Sequence, residues 1–257
     1  MKLITAKVIN QVKIAKDQFV LRLYCPDIVL AAKPGQFITL KIHEQPLLRR
    51  PFSIHYIDKE KGYLEIFYQV VGRTTKDLSN LSEDADVSLL GPLGNGFTLK
   101  ENSKALLIGG GLGQAPLRFL ATELKLLNTE VEVLLGARHE EGLKNLECFM
   151  DQTGNIHCAT EDGSKGVKGF VTEVLPDIIK EFKPDIIYTC GPIPMLKAIK
   201  EIATKSQILC QISLEKTMAC GIGVCLGCTC KSKNDEKYPK VCIDGPVFWA
   251  EGVDIDE

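Results

Sequence analysis

The sequence has little excess charge of either sign and no long apolar run, and both deficits limit what the protein can do. Its 257 residues carry a net charge of −2, so neither nucleic acid nor an anionic membrane surface is expected as the main partner. No apolar run reaches the roughly 18 residues that a membrane-spanning helix needs. The first residues also lack the apolar stretch and small-residue cleavage site of a signal peptide. These absences favour a cytoplasmic protein.

Three segments of different character follow one another along the chain. Residues 1–100 are rich in short strand-like runs separated by turn signals, which predicts an antiparallel β-barrel. Residues 101–209 alternate apolar runs with helical patterns, which predicts βαβ units and a doubly wound parallel sheet. Residues 210–257 are rich in glycine and cysteine and poor in large apolar residues, so this small subdomain needs a metal or a covalent link to fold. Within it, the polar stretch 234–237 is expected to be a solvated loop.

Five of the ten cysteines crowd into the stretch from Cys220 to Cys242 of this last segment. Four of them have the spacing C-x4-C-x2-C-x13-C, the plant-type pattern of a [2Fe–2S] cluster, with the candidate ligands Cys220, Cys225, Cys228 and Cys242. A loop that carries three thiolates must curl tightly around the irons. Glycines between the cysteines, at 221, 223 and 227, allow the positive φ angles that such a loop requires.

A structural zinc site is the alternative interpretation of the same cysteines. Zinc sites normally use two matched pairs of close cysteines, and only Cys225 and Cys228 have the usual pair spacing. Cys230 is a fifth cysteine that four-ligand chemistry does not need. It could replace Cys228 as a ligand, although the spacing favours Cys228.

A glycine-rich turn follows the apolar run at 105–108 and opens a helical pattern. Its glycines, Gly109, Gly110, Gly111 and Gly113, would let the backbone approach a pyrophosphate at the helix N-terminus. The turn is not a strict G-x-G-x-x-G because position 114 is glutamine. A tight turn without a ligand is therefore the competing interpretation. Cys190 and Gly191 follow a later apolar run, where doubly wound sheets bind ligands.

The order of motifs resembles the ferredoxin–NAD(P)H reductase superfamily. R-P-F-S at 50–53 is followed by G-x-T-T at 72–75, G-P-L-G-N-G-F at 91–97, the glycine turn and C-G-P at 190–192. The tail, with S-L-E at 213–215, M-A-C-G-I-G-V-C-L-G-C and V-C-I-D-G-P-V-F, resembles the electron-transfer subunits of bacterial dihydroorotate dehydrogenase B. The resemblance covers essentially the whole chain.

This resemblance implies a set of cofactor-binding residues. The flavin FAD would be held by Arg50, Pro51, Phe52, Ser53, Phe67, Tyr68, Gln69, Gly72, Thr74 and Thr75. Thr74 departs from the family pattern, which often has glycine there. The four cysteines match the cluster ligands, and Cys190 would lie near the nicotinamide as a packing group rather than as a nucleophile.

The resemblance also implies a function and a partner. The partner would be an FMN-containing catalytic subunit that oxidises dihydroorotate in pyrimidine biosynthesis, joined to this chain in a 2+2 heterotetramer. Electrons would pass from FMN through the cluster and FAD to NAD. Alternatives are a reductase subunit that serves a hydrogenase, a sulfite reductase or a ferredoxin, and a zinc-stabilised interaction protein without catalytic activity. The preference between NAD and NADP stays open, because Arg138 after the run at 131–135 could meet a 2′-phosphate.

Overall fold

The structure is a computed structural model that describes residues 1–43, 47–232 and 238–255. The polar stretch 234–237 lies outside these residues. Among the residues described, no helix is long and apolar enough to cross a membrane.

The first part of the chain forms an antiparallel sheet that curves around its own core, which confirms the predicted fold of this half. Its strands are β1 (Lys2–Ala15), β2 (Gln18–Tyr24), β3 (Phe37–Lys41), β4 (Arg50–Ser53), β5 (Tyr56–Asp58), β6 (Tyr63–Gln69) and β7 (Asp86–Leu93). Their order in the sheet is β4-β3-β7-β1-β2-β6-β5. Alternate residues of β7 are buried, as expected for a strand with one face on the core. Two short helices, α1 (Pro26–Val29) and α2 (Arg73–Leu78), lie in the connections.

The second sheet is parallel from its first strand to its sixth, and helices cover both faces, so the predicted doubly wound sheet is also confirmed. Its strands are β8 (Lys104–Gly110), β9 (Glu130–Ala137), β10 (Asn155–Thr160), β11 (Val167–Lys168), β12 (Ile186–Cys190), β13 (Leu209–Ser213) and β14 (Val247–Trp249). They are arranged in the order β11-β10-β9-β8-β12-β13-β14. The helices are α3 (Leu117–Leu126), α4 (Val171–Phe182) and α5 (Ile193–Lys205), with 3-10 segments at Gly111–Gln114 and Glu140–Phe149. Helices α4 and α5 pack on one face, and α3 packs on the other.

The cysteine-rich tail is attached to this sheet at both ends. It begins inside β13, which spans the boundary proposed at residue 210, and it returns as β14, which pairs antiparallel with β13. Trp249 stands opposite Gln211, and Val247 stands opposite Ser213. The loop that carries the thiols is therefore a long connection between two neighbouring strands.

A buried ion cluster joins the barrel to the parallel sheet. Glu65 on β6 is only 2% exposed, and its carboxylate accepts hydrogen bonds from Arg22 of β2 and Arg118 of α3. Each guanidinium lies 4.3 Å above a tyrosine ring, Tyr63 for Arg22 and Tyr56 for Arg118. A buried carboxylate needs such partners, because removing one would leave an uncompensated charge. The cluster thus fixes how α3 sits against the barrel.

Candidate functional site

A cavity of about 650 Å³ lies where the barrel meets the segment that follows β13. Its wall includes every residue that the family resemblance assigns to FAD, from both flavin strands and the start of α2. These are Arg50, Pro51, Phe52, Ser53, Phe67, Tyr68, Gln69, Gly72, Thr74 and Thr75. A cavity of this size, largely apolar with a few polar groups, is typical of a cofactor site.

Aromatic packing holds the flavin strands in place. The Tyr68 ring lies between Phe19, stacked at 5.7 Å, and Phe52, edge-on at 5.9 Å. The Tyr68 hydroxyl donates a 2.7 Å hydrogen bond to the Gln11 side chain. Since burial raises the pKa of Tyr68 well above its usual range, this residue acts as a neutral, rigid part of the wall.

The two consecutive arginines have different positions. Arg49 donates to the backbone carbonyl and the hydroxyl of Ser88 on β7, at 3.0 and 2.6 Å, so it serves the barrel. Arg50 lines the cavity and donates to the Leu48 carbonyl at 3.0 Å. Of the pair, only Arg50 is placed where a guanidinium could neutralise a bound pyrophosphate.

The hydroxyl of Thr75 is occupied by the backbone at the start of α2. It accepts from the N–H groups of Val71 and Gly72, at 2.9 and 3.1 Å, and donates to the Gly72 carbonyl. Thr75 therefore shapes this end of the cavity rather than offering a free hydroxyl. A Cβ on Gly72 would meet no atom within 4 Å, so the backbone there is open to a ligand. The cavity thus fits FAD in size, in composition and in this accessible backbone.

Most glycines in and beside the glycine turn allow close packing, because a Cβ there would collide with neighbouring atoms. An ideal Cβ on Gly113 would lie 2.1 Å from the Cys190 carbonyl oxygen, and one on Gly110 would lie 2.6 Å from the Met195 sulfur. Gly191 and Gly109 are similarly confined. Gly111 alone among the turn glycines has positive φ, +56°, and open space around it. The turn places Leu112 and Ala115 in the cavity wall, so it reaches the flavin cavity directly.

The structure does not place Cys190 on the cavity wall. Cys190 is buried on β12 beside Gly109 and Ser213, and Ser213 is the residue that lines the cavity. Burial and the nearby Glu215 carboxyl raise the pKa of Cys190 far above its usual range. The thiol is therefore protonated and unsuited to act as a nucleophile.

The S-L-E motif at the end of β13 contributes to the site, although its sequence alone predicts no site role. Ser213, Leu214 and Glu215 all line the cavity. Glu215 is partly accessible to solvent, yet the surrounding protein desolvates its carboxyl and raises its pKa. A carboxyl that retains its proton more easily can donate a hydrogen bond inside the cavity.

The four candidate ligand thiols form two pairs. Cys220 shares a hydrogen bond with Cys225, and Cys228 shares one with Cys242. Backbone N–H groups of Ile222, Gly223 and Cys242 point at the sulfurs of Cys220, Cys242 and Cys228, at 3.4, 3.2 and 3.4 Å. Two thiols for each iron, with N–H···S contacts, is the donor set that a [2Fe–2S] cluster requires.

Backbone geometry in this loop follows the prediction only in part. Gly221 and Gly223 have positive φ, at +70° and +82°, whereas Leu226 rather than Gly227 is the third such residue. Desolvation opposes ionisation of Cys220, but backbone N–H groups, including that of Ile222, lower its pKa to about 6. Burial and the hydrogen bond shared with Cys228 raise the pKa of Cys242 to about 12.

The pairing of the thiols matches two irons with two protein ligands each, whereas a zinc site brings its four ligands to one ion. Among the residues described, which include all ten cysteines, no three Cys, His, Asp or Glu side chains converge on one point as a single ion would require. The Cys230 thiol instead contacts the Pro239 carbonyl, at 3.6 Å. The geometry therefore fits Cys228, not Cys230, as the third ligand.

One strand separates the cavity from the thiol loop. Phe37 on β3 lines the cavity, and its ring edge would lie 4.0 Å from a Cβ on Gly221, the neighbour of Cys220. Thr39, on the same face of β3, would lie 3.4 Å from that Cβ through its methyl group. The two candidate cofactor sites are thus neighbours across a single layer of side chains.

Three family models match the chain. They are an oxidoreductase FAD-binding domain at residues 5–97, an oxidoreductase NAD-binding domain at 107–201, and the iron–sulfur cluster binding domain of dihydroorotate dehydrogenase B at 215–254. The three matches coincide with the barrel, the parallel sheet and the thiol loop.

Curated relatives and solved structures agree with these matches. The electron transfer subunit of dihydroorotate dehydrogenase B (NAD(+)) from Caldanaerobacter subterraneus subsp. tengcongensis is 47% identical over 222 residues, 86% of each chain. The subunit of the same name from Fusobacterium nucleatum is 36% identical over 100% of both chains. A chain solved in work on flavin-based electron bifurcation by NADH-dependent reduced ferredoxin–NADP oxidoreductase has a TM-score of 0.88 at 32% identity, covering 98% of this chain and 90% of that one.

Proposed function

Because the chain belongs to the family of electron transfer subunits of NAD-dependent dihydroorotate dehydrogenase B, we propose that it passes electrons from an FMN-containing catalytic subunit to NAD through its cluster and FAD. It is an oxidoreductase subunit with FAD-binding, NAD-binding and iron–sulfur domains. A 2+2 heterotetramer in the cytoplasm is the assembly that we propose.

The observation that carries the proposal is the position of β3 between the two sites. Phe37 belongs to the cavity wall and also approaches Gly221 of the thiol loop. This arrangement would bring a flavin in the cavity and a cluster on the loop close enough for single electrons to pass between them.

The flavin, when bound, supplies conversion between the two-electron hydride of the nicotinamide and the single electrons of the cluster. The chain itself contributes binding and orientation. Arg50 and the open backbone at Gly72 would hold the flavin phosphates, and Ser53 and Phe67 would contact its ring system. Glu215 and Ser213 add polar groups to the cavity wall, where they would meet the nicotinamide.

An apolar surface around the ligand cysteines is the face that we assign to the catalytic subunit. Val224 is 75% exposed and Leu226 is 60% exposed, beside the exposed Cys225. Exposed apolar side chains clustered at one place typically mark an interface. A partner seated there would exclude water from the cluster and shorten the path to its own flavin.

The test compares the chain alone with the chain joined to its partner. We expect the anaerobically purified chain to contain flavin and iron and to reduce dyes with NADH, but not to oxidise dihydroorotate. Addition of the FMN-containing subunit should create NAD-dependent dihydroorotate oxidation. Oxidation of dihydroorotate by the isolated chain would contradict the proposed division of roles.

A substitution on this apolar surface tests binding of the partner separately from electron transfer within the chain. Val224→Glu should abolish NAD-dependent dihydroorotate oxidation by the complex while NADH-dependent dye reduction continues. Leu126→Glu is the matched control, because Leu126 is similarly exposed, at 73%, on α3 of the nucleotide domain. Equal activities of the two variant complexes would exclude this surface as the interface.

A reductase subunit for a ferredoxin-type partner is the second candidate. The 32% identity to a chain of a ferredoxin–NADP oxidoreductase is the observation that favours it. Arg138, which is exposed directly after β9, could bind the 2′-phosphate of NADP and would then favour NADP as the nucleotide. Faster dye reduction with NADPH than with NADH, together with ferredoxin reduction, would support this candidate over the first.

A further inference from the structure

A histidine in the interface between the barrel and the parallel sheet has no role in the electron path described above. His55 follows the flavin strand β4 by two residues and is completely buried. It is absent from the cavity wall, and no motif in the sequence predicts a function for it. Its surroundings nevertheless connect the flavin strands to the nucleotide turn.

Both ring nitrogens of His55 are hydrogen-bonded, and they have opposite roles. Nδ1 lies 2.7 Å from the backbone carbonyl of Ala115, which can only accept. Nε2 lies 3.3 Å from the side-chain amide nitrogen of Asn145, which donates. A neutral imidazole with its proton on Nδ1 satisfies both contacts, whereas an imidazolium would set an N–H against the Asn145 amide. The contacts thus select one tautomer.

The groups joined by His55 come from three elements. The ring packs at 5.6 Å against Phe67 of β6, which lines the flavin cavity. Ala115 lies at the end of the glycine turn and also lines the cavity. Asn145 belongs to the 3-10 segment Glu140–Phe149, whose Gly142 carbonyl accepts a second bond from the turn, donated by Gln114 at 3.0 Å. The imidazole is therefore bonded or packed to each element that must stay in register around the cavity.

We propose that His55 is a positioning residue for hydride transfer, which holds the Ala115 end of the glycine turn at a fixed distance from the flavin strand that carries Ser53. The inference rests on the proposed function, because it requires a flavin in the cavity and a nicotinamide beside the turn. Hydride transfer depends steeply on the separation and angle of the reacting atoms. A displacement of about 1 Å can cost on the order of 100-fold in rate.

Two substitutions of His55 test its two hydrogen bonds separately. His55→Phe keeps a ring of similar size against Phe67 but removes both hydrogen bonds. His55→Asn keeps a donor near the position of Nδ1, so the bond to Ala115 can survive while Asn145 loses its partner. For NADH-dependent dye reduction, we expect His55→Phe to lower kcat about 100-fold and to increase the primary isotope effect with 4-deuterated NADH. His55→Asn should lose no more than about tenfold.

The remaining measurements distinguish positioning from a general structural defect. FAD content, iron content and the EPR signal after dithionite should match the wild type in both variants, since His55 touches neither the cavity interior nor the thiol loop. Asn145→Ala, which leaves the Ala115 bond intact, provides a further variant if His55→Phe does not fold, and like His55→Asn it should lower kcat by no more than about tenfold without loss of FAD. His157→Phe is the control, because His157 is a bonded histidine on β10.

Several results would overturn the proposal. A folded, flavin-loaded His55→Phe protein with wild-type kcat and isotope effect would do so. Equal loss of kcat in His55→Phe and His55→Asn, accompanied by loss of FAD, would show a structural role instead. Wild-type protein that contains no flavin would overturn the proposed function itself and this inference with it.

Discussion

The close contact between Gly113 and Cys190 predicts that Gly113→Ala destabilises the protein. A Cβ on Gly113 would lie 2.1 Å from the Cys190 carbonyl oxygen and 2.7 Å from the Gly191 nitrogen. These are backbone atoms and cannot rotate away. For Gly113→Ala, the carbonyl must retreat by roughly 1.3 Å, the difference between 2.1 Å and the 3.4 Å at which ordinary contact begins. Overpacking of this kind costs about 3 kcal/mol.

Two measurements follow from that displacement. For a chain of this length, about 3 kcal/mol corresponds to a fall in Tm of about 6–12 °C. Because the turn that contains Gly113 also places Leu112 and Ala115 in the cavity wall, we also expect KM for NADH to rise on the order of tenfold or more. Flavin and iron content should change little, since neither candidate site includes this contact.

A second glycine supplies the control for that experiment. A Cβ on Gly154 would meet no atom within 4 Å, so Gly154→Ala should leave Tm and KM close to those of the wild type. If Gly113→Ala and Gly154→Ala had the same Tm and the same KM for NADH, the close packing of the glycine turn on Cys190 would be refuted.

Three further predictions concern the cluster loop and the domain interface. Cys228→Ser should lose most of its iron and acid-labile sulfide, whereas Cys230→Ser should retain both, and equal iron content in the two variants would contradict the ligand assignment. Asn95 donates from its side chain to the carbonyls of residues 243 and 244, at 3.0 and 3.1 Å, directly after Cys242. Asn95→Asp removes these donors at a cost of about 1–3 kcal/mol and should lower the iron-to-flavin ratio, measured by metal analysis. Burial, with a contribution from Arg118, lowers the pKa of His55 to about 4 from 6.5. The free energy of unfolding is therefore highest above pH 6.5, where His55 is neutral in both the folded and the unfolded chain. It falls by up to about 3 kcal/mol as the pH decreases towards 4, because the unfolded chain then binds a proton that the folded protein does not. Urea unfolding of His55→Asn should lack this component, and identical pH dependence in the two proteins would contradict it.

The fold was predictable because its elements have local signals in the sequence, and the candidate cluster loop has one as well. Alternating strands in the first hundred residues, apolar runs that end at glycine, and the cysteine spacing all act over short stretches of sequence. The flavin strands were assigned by resemblance to a family, and the structure places their residues around one cavity.

The remaining features depend on contacts between residues far apart in the chain. The approach of Phe37 to the thiol loop and the return of the tail as β14 leave no local pattern in the sequence. His55 follows a recognisable motif, but its partners Ala115 and Asn145 become neighbours only after the two sheets have packed together. The packing roles of Gly110 and Gly113 are likewise set by strand β12 and helix α5, which come much later in the chain.

The central claim is that a flavin in the cavity and a two-iron cluster on the neighbouring loop exchange single electrons. Visible and EPR spectra of anaerobically purified protein, recorded before and after addition of NADH, test this claim most directly. The account predicts flavin bleaching and the appearance of the signal of a reduced [2Fe–2S] centre in the same sample. A protein that bound flavin and iron, but whose cluster remained oxidised while NADH bleached the flavin and dithionite reduced the cluster, would contradict it.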